Sequence, residues 1–225
     1  MSQQTSTGTC GFCEKNFTRA SMTRHLKACG LLASKAPFES APAKLPGQSF
    51  HLLVEARYAK VYWLHLAVPV EAPLRKVDAF LRQIWLECCG HLSAFTIAGE
   101  RYASDAMKNL GESGMQAQLG RLLQPGMAFT YEYDYGSTTE LNLKVVGLRD
   151  GKTKQGAVEL LARNDAPQIA CEKCGNQPAT QICTECLYTD QGWLCENCSE
   201  NNECGVEMCL PVVNSPRAGV CGYSG

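Results

Sequence analysis

Cysteine spacing constrains this chain more than any other feature. Fourteen cysteines are present, and most fall in Cys-x-x-Cys pairs, the spacing with which a tight turn aims two thiolates at one metal ion. Such a pattern means either a disulfide framework in an oxidising compartment or metal ligation in a reducing one. Residues 1–9 are polar, with neither a basic n-region nor an apolar h-region, so nothing there marks the chain for export. No stretch approaches the roughly 18 apolar residues of a membrane span. The expectation is a cytoplasmic chain with reduced thiols, about three structural Zn2+ ions and no membrane association.

Two segments carry the ligand patterns. The first, Cys10-x2-Cys13-x11-His25-x3-Cys29, matches the two-knuckle, one-helix zinc finger, with cysteine replacing histidine in the last position. His25 and Cys29 are four residues apart, so on a helix they lie one above the other and close the tetrahedron begun by the Cys10/Cys13 turn. Phe17 and Met22 supply a small apolar core. Arg19, Arg24 and Lys27 fall on the helix and are the candidates for nucleic-acid contact, although one finger of this size spans only about three base pairs.

The second segment contains Cys171, Cys174, Cys183, Cys186, Cys195 and Cys198 as three evenly spaced pairs, followed by Cys204. Two tetrahedral sites need eight ligands, so Cys204 and one more residue must join. After a knuckle's second cysteine a left-handed glycine is favoured; Cys174-Gly175, Cys204-Gly205 and Cys221-Gly222 have one, whereas Cys209 precedes Leu210-Pro211. Cys221 is therefore the expected ligand and Cys209 the spare. The pairs can be wired sequentially or alternately, and equal spacers favour alternate pairs bracing one another. A segment so poor in apolar residues cannot build a sufficient core, so metal must replace it.

Between them the pattern predicts an α+β domain, one long helix on a mainly antiparallel sheet. The expected division is a finger over 1–32, a linker over 33–47, the α+β domain over 48–166 and the cysteine-rich module over 167–225. Residues 50–70 read as strand, with Tyr62, Leu64, Leu66 and Val68 alternating against Trp63, His65 and Ala67. Leu74, Val77, Leu81, Ile84, Trp85 and Cys88 recur at helical spacing up to Gly90. Residues 92–102 read as one strand with a bulge at Gly99, and Ser113 as the cap of a short helix through Leu123. Phe129, Tyr131, Tyr133 and Tyr135 line one face of a hairpin that returns through Leu141, Leu143 and Val145, and a last strand covers 157–161.

Charge separates the two ends. The whole chain is formally −1, but residues 1–36 carry +4 and residues from Cys171 onward −5. The ends should therefore meet different partners, nucleic acid at the finger and protein at the acidic module. For catalysis the sequence offers little. Gly151-Lys152-Thr153 lacks the upstream glycine of a phosphate loop. Asp134, Asn142 and Lys144 give the alternative reading, a metal-dependent enzyme acting on nucleic acid with the hairpin as active site. His65 and His91 read as structural, and Cys88-Cys89 as packing.

Three motifs carry a family resemblance: Tyr62-Trp63-Leu64-His65-Leu66; His91-Leu92-Ser93-Ala94-Phe95-Thr96-Ile97-Ala98-Gly99-Glu100-Arg101-Tyr102; and Phe129-Thr130-Tyr131-Glu132-Tyr133-Asp134-Tyr135-Gly136-Ser137. Over residues 48–165 the chain resembles the plasmid pRiA4b ORF-like family, also known as passenger proteins of insertion sequences. The tail from Leu210 through Cys221-Gly222-Tyr223 is similar to the zinc-binding end of some members, which carry a histidine before the Cys204 position where this chain has Asn201 and Asn202. The resemblance implies a compact α+β fold and association with mobile elements, and no established activity.

Overall fold

The computed structural model describes residues 6–33, 47–107, 109, 111–150, 153, 156–189 and 191–225. Most of the expected linker, and Gly151-Lys152, lie outside the described residues. The chain divides into two compact units, Met1–Leu81 with Leu92–Asp165, and Arg82–His91 with Ala166–Gly225.

The first unit contains β1 (Thr7–Cys10), β2 (Asn16–Thr18), α1 (Arg19–Ala33), β3 (Gln48–Ala56), β4 (Trp63–Pro69), α2 (Leu74–Leu81), β5 (Ser93–Ile97), β6 (Glu100–Ala103), β7 (Ser113–Gly114), α3 (Leu119–Leu122), β8 (Ala128–Tyr133), β9 (Thr139–Asp150) and β10 (Glu159–Asn164). Its strands form one sheet in the order β2-β1-β10-β4-β3-β9-β8-β5-β6-β7. Neighbours are antiparallel except β6 and β7, which run parallel. The unit is mostly sheet with few helices.

The expected long helix departs from this picture. α2 is eight residues long and continues as a π-helical turn, Arg82–Leu86. Glu87 N reaches back five residues to the Arg82 carbonyl at 2.9 Å, which makes the π-helical turn, and Ser215 Oγ donates to the Trp85 carbonyl at 2.6 Å, where the helix ends. Among the described residues the longest helix is α1, in the finger.

Two further expectations change. Residues 92–102 form the hairpin β5–β6, because Ala98 and Gly99 both have positive φ (51° and 87°), as a two-residue type I′ turn requires. Ser113 pairs with Tyr102 in β7 instead of capping a helix, and α3 starts at Leu119 without a side-chain cap. The β8–β9 hairpin stands where the alternation placed it. Phe129, Tyr131 and Tyr133 are buried, while the exposed Tyr135 ring lies 4.9 Å from the Arg101 guanidinium. Tyr131 donates to Asp78 Oδ1 on α2 at 2.8 Å, as does Ser93 at 2.6 Å.

Strand β4 is buried on both faces. On one of them Trp63 and Ala67 pack with Leu161, Ala162, Cys10, Met22 and Leu26, so β4 underlies α1. Beside them His51 Nε2 and His65 Nδ1 are 2.8 Å apart. Burial, followed by the neighbouring His65 charge, pushes His51 down to about 2. Burial alone brings His65 to about 4. Both are neutral in the folded protein.

The second unit contains the π-helical turn, β11 (Gln181–Cys183), β12 (Trp193–Leu194), α4 (Glu196–Glu200) and β13 (Cys209–Pro211), with the strands in the antiparallel order β12-β11-β13. Cys171, Cys183, Cys195 and Cys198 are buried together with Leu194, and Trp85, Leu86, Ile182, Ala218 and Tyr223 are buried elsewhere in the unit.

Candidate metal centres

The finger's donors converge. Cys10 ends β1, and the knuckle closes through Cys10 N to the Lys15 carbonyl (3.0 Å) and Glu14 N to the Cys10 carbonyl (2.9 Å), with Glu14 at φ 58°. Phe12 N points at Cys10 Sγ from 3.4 Å. α1 presents His25 and Cys29 on one face, and His25 stacks on Phe17 with ring centroids 3.8 Å apart. The donor atoms of Cys10, Cys13, His25 and Cys29 all lie within 4.8 Å of one another.

In the second unit the pairs alternate. Cys171, Cys174, Cys195 and Cys198 form one group, and Cys183, Cys186 and Cys204 another. β11 runs between β12 and β13, so the pair after β11 is carried away from the pairs that flank it. Cys195 precedes α4 and Cys198 lies on it. Gly175 and Gly205 take the left-handed side of φ (68° and 87°), as their knuckles require.

These separations suit a tetrahedral cation. Bond lengths of about 2.3 Å to sulfur and 2.0–2.1 Å to nitrogen imply edges of roughly 3.8 Å between sulfurs and 3.6 Å between sulfur and nitrogen. The observed spacings are 3.8 Å for Cys174–Cys195, 3.4 Å for Cys186–Cys204 and 3.3 Å for Cys13–His25 Nε2, far beyond the roughly 2.05 Å of a disulfide.

Protonation tells the same story. Burial disfavours the Cys171 thiolate, but N–H groups of Cys195, Cys174 and Lys173 outweigh it and bring the pKa to about 6. Later thiols in each group are held up: Cys198 to about 12 chiefly by Cys195, and Cys186 to about 12 chiefly by Cys204. Burial, then Cys13, raises Cys29 to about 11. Crowded thiols resist full ionisation unless a cation compensates the charge. These donor sets can hold metal ions.

One expectation about the tail is corrected. Cys221 does not join Cys183, Cys186 and Cys204; it lies with Cys88, Cys89 and His91. Gly222 does adopt positive φ (72°), but in a turn that serves this other group. Cys209, the expected spare, stands opposite Cys183 in the β11–β13 register and packs against the thiol groups, but it is not among the donors that converge with Cys183, Cys186 and Cys204. The Cys-Cys-x-His spacing of residues 88–91 was a signal that reading it as packing passed over.

A family model for the plasmid pRiA4b ORF-3-like protein matches residues 52–194. The chain belongs to this family. The match runs beyond the motif-bearing segment into the cysteine-rich region, taking in Cys171, Cys174, Cys183 and Cys186 and ending at Leu194. No curated protein matches the chain. Among solved structures, the protein of unknown function MM3350 from Methanosarcina mazei Go1 is similar, with a TM-score of 0.43 and 14% identity over 52% of this chain and 68% of that one.

In this pRiA4b ORF-3-like chain the basic finger residues divide. Arg19 forms an ion pair with Glu55 on β3. Arg24 and Lys27, three residues apart, are exposed on the face of α1 opposite buried Met22 and Leu26. In the hairpin, Asp134 is buried and its carboxylate accepts from Gly136 N at 2.9 Å, closing the turn. Asn142 and Lys144 lie on β9 opposite Thr130 and Ala128. Among the described residues, no group of ligating side chains includes Asp134. No helix is long and apolar enough to cross a membrane among the same residues.

Proposed function

We propose that the protein is a zinc-stabilised adaptor or regulator associated with mobile elements, which contacts nucleic acid through its basic finger and protein through its acidic cysteine-rich module. The observation that carries this reading is the pair of complete four-donor sets, Cys10, Cys13, His25 and Cys29 in the finger and Cys171, Cys174, Cys195 and Cys198 in the module. Four protein ligands leave no coordination position for water or substrate, which distinguishes structural zinc from catalytic zinc. With four thiolates, the site of Cys171, Cys174, Cys195 and Cys198 carries a formal charge of about −2, and that of Cys183, Cys186 and Cys204 about −1, added to exposed Glu172, Glu185, Glu196, Glu200, Glu203 and Glu207. Such a surface repels phosphate and suits a basic protein partner.

Arg24 and Lys27 are the proposed phosphate contacts, and Arg19 is subordinate because Glu55 already neutralises it. Fluorescence anisotropy with labelled duplex and single-stranded DNA, titrated between about 50 and 200 mM salt, tests this. Arg24→Ala/Lys27→Ala should weaken binding and lower the salt slope by about 2. No binding at the lowest salt, or an unchanged slope in the double variant, refutes the nucleic-acid contact. For the module, reversing Glu196, Glu200 and Glu203 to lysine should abolish any partner retained by the full chain.

A further inference from the structure

Cys88, Cys89, His91 and Cys221 belong to none of the three sites above. We propose that they form a fourth tetrahedral site for a zinc-class divalent cation, joining the end of the π-helical turn to the C-terminal tail within the second unit. The inference rests on the reading of the other cysteine groups as zinc sites.

The geometry is that of a Cys3His shell. Cys88 and Cys89 sulfurs are 3.7 Å apart, Cys89 and Cys221 sulfurs 3.7 Å, and His91 Nε2 lies 3.0 Å from Cys89 and 3.4 Å from Cys221. A tetrahedron with zinc bond lengths has edges of roughly 3.8 and 3.6 Å. Adjacent cysteines can both reach one ion because they stand where regular helix has ended, beyond Arg82–Leu86.

The surroundings hold these donors in place. Arg82 donates to the His91 carbonyl at 2.7 Å and pairs with Glu87 at 2.8 Å, bracing the loop from 87 to 91. On the other side Ser215 Oγ donates to the Trp85 carbonyl and accepts from Arg217 N at 2.9 Å, tying the tail to the π-helical turn. Cys221 occupies the left-handed region (φ 52°, ψ 36°), unusual for a residue with a Cβ, and this turn brings its sulfur to the group.

Charge fits as well. Fully buried Arg217 points its guanidinium at Cys88 Sγ from 3.5 Å. Three thiolates and one divalent cation sum to −1, which the guanidinium neutralises; binding releases up to three thiol protons. Soft thiolates with one imidazole select zinc-class ions over magnesium or calcium. Unlike the module groups, this one has two exposed members, Cys89 and Cys221, so its ion is the one most open to exchange.

Native mass spectrometry of the full chain, purified under reducing conditions with zinc, provides the test. Four ions per chain are expected, and three in Cys89→Ser/Cys221→Ser. Three ions in the wild type, or four in the variant, overturn the fourth site alone, whereas a metal-free wild type overturns the zinc reading of every group. Should the variant misfold, thiol mapping on the wild type decides. Cys89 and Cys221 should resist N-ethylmaleimide while loaded and become reactive together as one equivalent of zinc departs. Free labelling of both with all zinc retained, or a Cys88–Cys89 disulfide in the reduced, zinc-loaded chain, overturns the site.

Discussion

The finger and the cysteine-rich module use the same knuckle for different ends. In the finger the proposed ion fastens a helix that also has an apolar seat: Met22 and Leu26 bury against Trp63, Ala67, Leu161 and Ala162 of the large sheet. β1 pairs with β10, and the Asp165 carboxylate accepts from the Thr7 and Thr9 hydroxyls at 3.0 and 3.2 Å and from the Asn16 amide. The module's thiol cluster has a smaller apolar share. Its buried residues are four cysteines and Leu194, with Met208 and further cysteines packed around them. On the proposed reading, metal reinforces an extensive hydrophobic core in the finger and supplements a smaller one in the module.

Removing metal should break the comparison most visibly. Chelation is expected to unfold the module, where each site contributes on the order of 10 kcal/mol, while the large sheet persists. Hydrogen exchange should report lost protection at Ile182, Cys183 and Leu194 and retained protection along β3, β4 and β9. Equal loss in both regions would mean that the sheet too depends on metal.

Docking of the finger is sharpened by Gly8. A Cβ there would lie 2.2 Å from the Arg163 carbonyl oxygen and 2.5 Å from the Trp63 ring, so the close approach of β1 to β10 requires glycine. Gly8→Val should cost about 3 kcal/mol in thermal or urea unfolding of the sheet, with no zinc lost by mass spectrometry. An unperturbed sheet would show that the seat contributes little.

Beneath the finger, His51 and His65 make the sheet sensitive to acid. Their folded pKa values, about 2 and about 4, lie below the unfolded value of 6.5. Between pH 6.5 and 4 the unfolded chain therefore binds more protons, and stability falls as pH falls. From pH 7.5 to 5.5 the pair should remove roughly 2.5 kcal/mol. That loss, read from exchange of β3 and β4 amides, should largely disappear in His51→Leu/His65→Leu; an unchanged pH slope would refute the neutral buried pair.

The smallest effect is expected at Arg19. Its pair with Glu55 is substantially exposed on the arginine side (40%), so Arg19→Ala should cost only about 0.5 kcal/mol. A cost several times larger would make the ion pair, and not the apolar seat, the main fastening of the helix.

Local geometry was legible in the residues themselves. A Cys-x-x-Cys pair needs only a turn, His25 and Cys29 need only one helix face, and the β8–β9 hairpin needs only alternation and a short polar turn. These depend on neighbours within a few positions, and a linear pattern records such neighbours. The helix expected from Leu74 to Cys88 failed where Ser215, 130 residues away, takes the Trp85 carbonyl.

What the tertiary structure alone decided was partnership across the chain. The β11–β13 register sets Cys209 opposite Cys183, and the returning tail carries Cys221 to His91, 130 residues distant in sequence. Spacing shows that a thiolate is ready to bind, because turns and helices hold their own donors. Which donors share an ion depends on strand order and chain return, and those follow from packing over the whole fold.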